Sequence, residues 1–570
     1  MDNSNGRPGS SGAATANKYP GYINSDYGAI GKAASTKDLP NTAQYFNFWL
    51  STGIDSLELG NIVGAVTDDG HITFGTVVEL RSIMDIESFL SDYISHDFGD
   101  PSVQPPSDLA EITIAKVNVI RATHDRIRPI GRGVVYYASP EGIGWALGMG
   151  DYSKERGVPI GVMENGDGSF VPIFLDDEFL VGPEGSHMNM SGISGLATKT
   201  SLVEFLLKSI LEKLIKTEKR KVAAVFFNVK GKDLLYLDKA NPVYEKVGDP
   251  YVERCRRMYD VMGIEIAPFE NVRIFAPYDR RFEGHTKSFR RDGKVEHFIW
   301  ELGEIINDIP TLFDHETWDE SVEAVYVDVR DQIERQPIKS YDELIQWLNE
   351  ERRVVAQAHI THWRGHEKED FYKCAKNLDA LSGLYDGLIC TGGVDSVDIP
   401  LADLYNGSIF VIDLQSLNDR GQAMVFNKIL LRTYKMLLDK DSPRDFNSVI
   451  FFVDELNKFA PSDPTVRAPI KQSLIEICAR GRSIGVSLFG VEQFMSQIDR
   501  QVVDNSSTII YGRTGPAELM TTNYSWLDPD MRNRLTTVPR GTFLLKHAKF
   551  VQPVFCKFPF PTCVPGDQYE

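Results

Sequence analysis

No uninterrupted apolar run in the sequence approaches the roughly 20 residues that a membrane-spanning helix needs. The opening stretch MDNSNGRPGSSGAATANK lacks the basic and apolar regions of a signal peptide. No C-x-x-C pair occurs among the cysteines, so neither a zinc ribbon nor a disulfide framework is indicated. The cysteines are Cys255, Cys374, Cys390, Cys478, Cys556 and Cys563. We therefore expect a cytoplasmic protein that does not contact a membrane.

Positive charge is also scarce, because 61 Lys and Arg residues face 80 Asp and Glu residues and leave a formal net charge of −19. Phosphate binding depends on Lys and Arg that release counterions, so this balance argues against a protein that wraps duplex DNA over a basic surface. Nucleic acid is not excluded. A ring can keep an acidic exterior and carry its few cations on channel loops.

Short apolar runs separated by turns fill the first third of the 570-residue chain, whose 42% apolar content is typical of globular domains. Residues 1–45 are rich in Gly, Ser, Asn and Ala, and we expect a disordered tail there. Residues 46–185 contain β-branched and aromatic runs separated by turns such as Asp68-Asp69-Gly70. This spacing predicts a small β-barrel.

Strands and helices alternate along the rest of the chain. The stretches KVAAVFFNVKG, GSIFVIDLQSL and NSVIFFVDELNKF are continuous apolar runs, typical of strands buried on both faces of a parallel sheet. Residues 280–387 are charged and helical in pattern. The sequence therefore predicts a doubly wound α/β core in two parts, 186–279 and 388–545, with a helical insertion at 280–387 and a C-terminal arm at 546–570.

A candidate phosphate-binding loop precedes the first long helix, in the stretch MSGISGLATKTS. Gly192 and Gly195 precede Lys199 by seven and four residues, out of register with G-x-x-x-x-G-K-[ST], and Thr198 replaces the glycine next to the lysine. Strand, small-residue loop, Lys-Thr and helix nevertheless follow in the required order. The candidate residues are Gly192, Ser194, Gly195, Leu196, Ala197, Thr198, Lys199, Thr200 and Ser201. The alternative is an ordinary helix N-terminus with a solvated Lys199.

Two carboxylates, Asp454 and Glu455, follow the apolar run VIFFV, so we expect them at the carboxyl edge of a buried strand. There Asp454 could hold magnesium through water, and Glu455 could orient and deprotonate an attacking water. A solvated strand end is the alternative. Gln493 follows a further apolar run, where an amide could contact a γ-phosphate.

Arg480 and Arg482 end the helix before that run. They either stabilise the helix C-terminus or act as an arginine finger in a neighbouring subunit's site, and the sequence does not choose between them. Arg513 is a weaker candidate for an arginine finger. Lys230 and Lys232 either contact a DNA backbone or are simply exposed.

The apolar strand with Asp454-Glu455, the stretch ARGRSIGV, the strand after it and Gln493 together resemble the core of the HerA branch of the HerA/FtsK hexameric translocases. The β-rich N-terminal region is similar to that family's barrel, and RGTFLLKHAKFVQPVFCKFPFP is similar to its closing strands and C-terminal arm. The resemblance covers about residues 50–560, with little contribution from the insertion. In two places the chain departs from the family. Its phosphate loop is lengthened, as in bacterial HerA-like proteins, and Asn228 stands where many relatives have an acidic residue.

The resemblance implies an α/β fold with a RecA-like P-loop ATPase core, an N-terminal small β-barrel and a helical insertion. It implies ATP and Mg²⁺ as cofactors, with Lys199 on the phosphates and Thr200 on the magnesium, or Ser201 in its place. It also implies a homo-oligomer, most simply a hexameric ring, with duplex DNA in the channel. An effector protein, a nuclease or a sirtuin-like NADase, would dock at the barrel face.

Two functions from different classes follow as hypotheses. The first is a ring-forming ATPase that couples hydrolysis to duplex DNA translocation or helicase activity alongside a partner effector. The second is an ATP-dependent hexameric scaffold that assembles and regulates an antiviral defence effector, with little translocation of its own. A rotary-type subunit is less favoured because of the long insertion and the lack of a membrane partner.

Overall fold

Two β structures organise the protein, a closed barrel and a large mixed sheet. The structure, a computed structural model, describes residues 18–86, 88–103, 110–124, 126–192, 199–214, 220–282, 285–336, 338–358, 360–439, 441, 443–464, 468 and 470–565. The barrel strands are β1 (Gly31–Ala34), β2 (Tyr45–Leu50), β3 (Ile62–Val66), β4 (Ile72–Met84), β5 (Glu111–Ala122) and β6 (Gly133–Tyr137).

The barrel closes through the order β1-β2-β5-β4-β3-β6, because β1 pairs with both β2 and β6. Phe46, Phe48 and Val117 point into its fully buried core. This corrects two predicted boundaries. A tail over 1–45 is wrong, since β1 lies within it, and the barrel does not reach residue 185, because the two strands after β6 join the large sheet.

The remaining strands belong to the large sheet and one short hairpin. They are β7 (Gly157–Glu164), β8 (Phe170–Asp176), β9 (Met188–Ser191), β10 (Val222–Asn228), β11 (Val272–Pro277), β12 (Val295–Phe298), β13 (His362–Trp363), β14 (His366–Glu367), β15 (Ile409–Asp413), β16 (Ser448–Asp454), β17 (Val486–Glu492), β18 (Thr508–Tyr511), β19 (Thr542–His547) and β20 (Val554–Lys557). The sheet order is β12-β11-β15-β10-β16-β17-β9-β18-β19-β20-β7-β8, and β13 pairs only with β14.

Every pairing from β12 to β18 is parallel, whereas the pairings from β18 to β8 are antiparallel. Strands β10, β15 and β17 are buried along their whole length. Continuous apolar runs suit this position because helices cover both faces of a parallel sheet. The α/β class predicted from the sequence is confirmed.

Helices connect the strands of the parallel half of the sheet, and several helix ends are capped. They are α1 (Phe89–Ser95), α2 (Pro140–Ala146), α3 (Lys199–Leu214), α4 (Pro250–Met262), α5 (Leu302–Ile305), α6 (Glu320–Arg335), α7 (Tyr341–Gln357), α8 (Lys368–Leu384), α9 (Asp419–Leu438), α10 (Lys471–Arg480), α11 (Arg500–Asp504), α12 (Pro516–Leu519) and α13 (Pro529–Arg534). In α4, Asp249 caps the first turn and Gly263 ends the helix at φ 63°.

The predicted insertion is helical, but it is not a separate body. Trp318 near α6 and Phe371 of α8 belong to the same buried cluster as Phe227 of β10 and Phe410 of β15. Strand β12, inside the predicted insertion, extends the sheet by one strand. The insertion therefore covers one face of the sheet. The other predicted divisions of the core stay predictions.

The C-terminal segment also packs onto the core. The carbonyl oxygen of Phe560 accepts hydrogen bonds from the hydroxyls of Tyr244 and Tyr259, at 2.6 and 2.8 Å. Within the described ranges, no helix combines the length and the apolar content needed to cross a bilayer.

Candidate active site

The carboxyl ends of β9, β16 and β17 meet at one edge of the sheet. In the sheet register, Asp454 pairs with Val491 and Val491 pairs with Met190. Glu492 pairs with Ser191. Since β17 alone lies between β9 and β16, these two strand ends are roughly 10 Å apart at ordinary strand spacing. The sheet thus brings the start of the candidate phosphate loop and the candidate carboxylates together, although about 260 residues separate them in the chain.

The start of the candidate phosphate loop is held tightly. The Ser191 hydroxyl lies 3.1 Å from the Tyr524 hydroxyl, and the Gly192 N–H donates to the Glu492 carbonyl at 3.3 Å. A Cβ on Gly192 would lie only 3.2 Å from Gly512 Cα, so a small residue is favoured here. The strand ends of β9 and β18 can therefore approach each other closely.

The rest of the loop falls on positions that the structure does not describe. Ser194, Gly195, Leu196, Ala197 and Thr198 lie outside the described residues, and so does the side chain of Lys199. Helix α3 begins at Lys199, and Thr200 and Ser201 are half-buried in its first turn. The predicted order of strand and helix is present, since β9 ends at Ser191 and α3 begins at Lys199.

Asp454 and Glu455 sit on a strained turn. Glu455 has φ 55° and ψ 50°, a left-handed conformation that non-glycine residues seldom adopt. The Glu455 N–H donates to Asp454 Oδ1 at 2.9 Å, and its carbonyl accepts from the Lys458 N–H at 2.9 Å. The next residue, Leu456, is buried against Gly490 of β17. These contacts fix the turn and the backbone from which both carboxylates project.

Two lysines contact the carboxylate of Glu455. Lys230 Nζ lies 3.2 Å from Oε1, and Lys458 Nζ lies 3.2 Å from Oε2. Lys458 also contacts Asp419 at 3.0 Å. Burial raises the pKa of Glu455, but the hydrogen bonds and charges of Lys458 and Lys230 outweigh burial, so its pKa lies below the ordinary value. Glu455 is therefore held as a carboxylate. Sequence reasoning treated Lys230 only as a possible DNA contact.

Glu492 is a residue of this edge that sequence reasoning missed. It is fully buried as the last residue of β17, and its Oε2 accepts a hydrogen bond from Asn189 Nδ2 at 3.4 Å. The available signal was an acidic residue that closes an apolar strand directly before Gln493. Gln493 itself is half-buried just past the strand end, as predicted.

A second polar network lies at the ends of β10 and β15. Asn228 Nδ2 donates to Asp413 Oδ1 at 2.9 Å, and the Ser288 hydroxyl donates to Asp413 Oδ2 at 2.7 Å. Burial raises the pKa of Asp413, although these hydrogen bonds oppose the effect. Asn228 thus serves as a donor to a buried carboxyl, a role that an acidic residue could not fill while ionised. Asp413 was not singled out from the sequence.

Arg480 and Arg482, the candidate arginine fingers, lie near the amino ends of the parallel strands, opposite the carboxyl edge. Arg480 ends α10 and Arg482 precedes β17, whose seven residues span roughly 20 Å to the carboxyl edge. Both side chains are exposed, and Arg482 donates to the Glu184 carbonyl at 3.3 Å. Neither can reach the site of its own chain. Arg513, by contrast, follows β18 and donates to the Thr536 carbonyl at 3.0 Å.

The chain has low similarity to several solved structures. No family model matches it, and no curated protein sequence does. The conjugative coupling protein TrwB, a solved structure, is similar at 13% identity and TM-score 0.41, over 69% of this chain and 88% of that one. VirB4 of Thermoanaerobacter pseudethanolicus is similar at 15% identity and TM-score 0.40, over 71% and 96%. The genome packaging NTPase B204 of Sulfolobus turreted icosahedral virus 2 is similar at 15% identity and TM-score 0.22, over 29% of this chain and 74% of that one.

Proposed function

We propose that this protein is a P-loop ATPase that hydrolyses ATP with Mg²⁺ at the carboxyl edge of its parallel sheet. One observation carries the proposal. The end of β9, the carboxylates after β16 and the amide after β17 lie at the same sheet edge, in the strand order β18-β9-β17-β16-β10. In open parallel sheets, ligands bind at the carboxyl ends of the strands.

Each residue has a distinct role in this proposal. The loop amides, the N-terminus of α3 and Lys199 bind the phosphates, because helix N-termini and lysine ammonium groups both favour anions. Glu455 orients the attacking water and accepts its proton, and Gln493 contacts the γ-phosphate. The lowered pKa of Glu455 keeps it ionised, so it is ready to accept a proton at neutral pH.

The residues at this edge also fit a magnesium ion. Thr200 offers a hydroxyl in the first turn of α3, and Asp454 is a half-buried carboxylate at the end of β16. Hydroxyl and carboxylate oxygens, completed by water, are the ligands that Mg²⁺ prefers. When bound, the ion neutralises charge on the phosphates. Thr200 and Asp454 are the residues that would hold it.

The position of the arginines supports a ring assembly. Because Arg480 and Arg482 lie roughly 20 Å from their own chain's site, either of them could complete only the site of a neighbouring subunit. A closed ring, most simply a hexamer, gives every site such a neighbour. A homo-oligomeric ring therefore belongs to the proposal.

Within that ring we propose translocation of duplex DNA as the work coupled to hydrolysis. The test is the ATPase rate of the purified protein, measured at low salt with and without duplex DNA. A several-fold stimulation that decreases as salt rises is expected, because phosphate contacts release counterions. Native mass measured in the same buffer gives the number of subunits. A monomer that binds no ATP would refute the whole assignment.

A second function, an ATP-dependent scaffold for a partner effector, is favoured by the arm that β4 and β5 extend from the barrel. We call residues 79–86, 88–103 and 110–114 the barrel arm. Its large apolar side chains are exposed, up to 96% for Phe89 and 68% for Phe98. The others are Ile83, Met84, Leu90, Tyr93, Ile94 and Ile112. A two-stranded ribbon with so much exposed apolar surface gains stability when a partner covers it.

The charge of the barrel arm indicates which kind of partner surface fits it. The barrel arm contains six acidic residues and one basic residue, Arg81. Such a surface rejects DNA and the same arm of a second copy, and it fits an apolar protein groove bordered by Lys and Arg. A nuclease or an NAD-degrading defence effector with such a groove would be the partner.

The two functions predict different behaviour. A scaffold shows turnover that is indifferent to duplex DNA and altered by its partner. If the protein is a scaffold, the double variant Phe89→Ser, Leu90→Ser should keep its basal ATPase rate and lose binding of the partner. If the protein is purely a translocase, the same double variant should keep both its basal ATPase rate and its stimulation by DNA. Val134→Ser, an exposed barrel residue away from the arm, is the matched control.

A further inference from the structure

One cation that holds Glu455 comes from the β10 side of the sheet, and the other is anchored toward that side. Lys230 follows β10, and Asp419, which anchors Lys458, begins the helix after β15. In the sheet, β10 and β15 lie on the opposite side of β16 from β17 and β9. The phosphate loop follows β9. Lys230 therefore engages Glu455 from the strand on the side away from the one that leads to the phosphate loop.

The two lysines differ in how firmly they are held. Lys458 bridges two carboxylates, those of Glu455 and Asp419, and its side chain is largely buried. Lys230 lies on a loop with Gly231 at φ 72°, and its side chain is 60% exposed. In the part of the chain that the structure describes, Glu455 is the one carboxylate that Lys230 contacts. Lys230 is thus the contact that a ligand from solvent can remove.

We propose that Lys230 is a positioning residue that restrains Glu455, and that a phosphodiester anion releases the restraint by taking Lys230 as its own partner. This inference rests on the proposed ATPase function. An ammonium group binds phosphate as a point charge, and exposed ion pairs exchange at little cost in free energy. Release lets Glu455 turn toward the water beside the phosphate loop. Binding of a nucleic acid backbone is thereby coupled to hydrolysis.

Turnover of Lys230→Met tests the restraint. Without DNA, its kcat should rise about two- to fivefold above that of the unmodified protein, the range that corresponds to one exposed ion pair. The KM for ATP should stay unchanged, and duplex or single-stranded DNA should add no further stimulation. Lys230→Arg should behave like the unmodified protein.

Lys221→Met is the matched control. Lys221 precedes the same strand, β10, at its other end and pairs with the carboxylate of Asp445. This variant removes one lysine and one ion pair without touching the site, so its turnover and its DNA stimulation should not change. Unfolding temperatures of all three variants establish that they fold.

A binding measurement tests the same exchange without turnover. If Glu455 and phosphodiester compete for Lys230, then Glu455→Gln should bind duplex DNA about two- to fivefold more tightly at low salt, by thermodynamic reciprocity. The double variant Lys230→Met, Glu455→Gln should lose that gain. Comparison of duplex with single-stranded DNA shows which source of phosphodiester is recognised.

The outcomes separate the two proposals. An unmodified protein that neither binds nor hydrolyses ATP refutes the ATPase function. An active protein whose Lys230→Met variant shows unchanged or lower basal turnover and normal DNA stimulation refutes the restraint alone. Equal DNA affinities of Glu455→Gln and the unmodified protein refute the exchange.

Discussion

Leu456 occupies the space that a side chain on Gly490 would need, so β17 and the turn after β16 interlock at a glycine. Leu456 is buried, and it directly follows the left-handed Glu455. The burial of one leucine therefore stabilises the strained backbone that presents the Glu455 carboxylate.

Gly490→Ala should disturb this turn. The added methyl group collides with Leu456, and overpacking of this kind typically costs about 1–3 kcal/mol of unfolding free energy. We expect a lower unfolding temperature, together with a lower kcat at unchanged ATP affinity. Gly383→Ala in α8 is the control, because a methyl group there meets nothing within 4 Å. Equal unfolding temperatures for Gly490→Ala and the unmodified protein would contradict the interlock.

Glu455→Gln should bind ATP but hydrolyse it about 10²- to 10⁴-fold more slowly, because the amide cannot accept the proton of the attacking water. Lys199→Ala should instead lose ATP binding. Nucleotide binding measured by calorimetry and single-turnover hydrolysis separate the two effects. Glu476→Gln, at an exposed position of α10, should change neither. Normal turnover in both site variants would exclude this location for the chemistry.

Arg480→Ala should abolish turnover in a pure assembly and recover part of it when mixed with Glu455→Gln subunits. In a mixed ring, some interfaces pair an intact Glu455 with an intact neighbouring arginine. Arg482→Ala, tested in parallel, identifies which arginine reaches the neighbour. The measurement is ATPase rate as a function of the mixing ratio. A strictly additive loss at every ratio would indicate a helix-end charge rather than a finger.

Acid should destabilise the fold through two buried histidines. Burial lowers the pKa of His187 and of His547 to about 4, against an ordinary value of 6.5. Their folded pKa values lie below the unfolded ones, so the stabilisation is complete above pH 6.5 and is lost as pH falls from 6.5 toward 4. The loss is up to about 3 kcal/mol for each histidine.

The unfolding free energy measured from pH 7 to pH 4 checks this expectation. His547→Gln should be less stable at pH 7 and show a flatter dependence, since one of the two groups is gone. His315→Gln, at an exposed position, should leave the curve unchanged. A pH profile of His547→Gln as steep as that of the unmodified protein would contradict the assignment.

The parallel core could be predicted from the sequence because strands buried on both faces need continuous apolar runs, and β10, β15, β16 and β17 have them. The acidic pair Asp454-Glu455 could be placed for the same reason, since it ends such a run. The antiparallel half was harder. Strands β7 and β8 are short and lie between turns, as barrel strands do. Only the pairing of β7 with β20 assigns them to the large sheet.

Other parts of the site depend on contacts that no local pattern encodes. The Lys230–Glu455 pair joins positions 225 residues apart. The left-handed backbone of Glu455 depends on Gly490, which lies on another strand. The buried carboxyls Glu492 and Asp413 end apolar strands as Asp454 does, so their positions carried a signal. The burial of these two carboxyls carried no sequence signal, because the neighbouring strands cause it.

The place of β9 between β17 and β18 has a consequence during synthesis. Its two hydrogen-bonding partners begin at residues 486 and 508, so roughly 300 residues must emerge from the ribosome after β9 before it can pair. At about 5–20 residues per second, that wait lasts on the order of 15–60 seconds. During it the strand end that leads into the phosphate loop has an open edge, and the nascent chain is a natural client for chaperones.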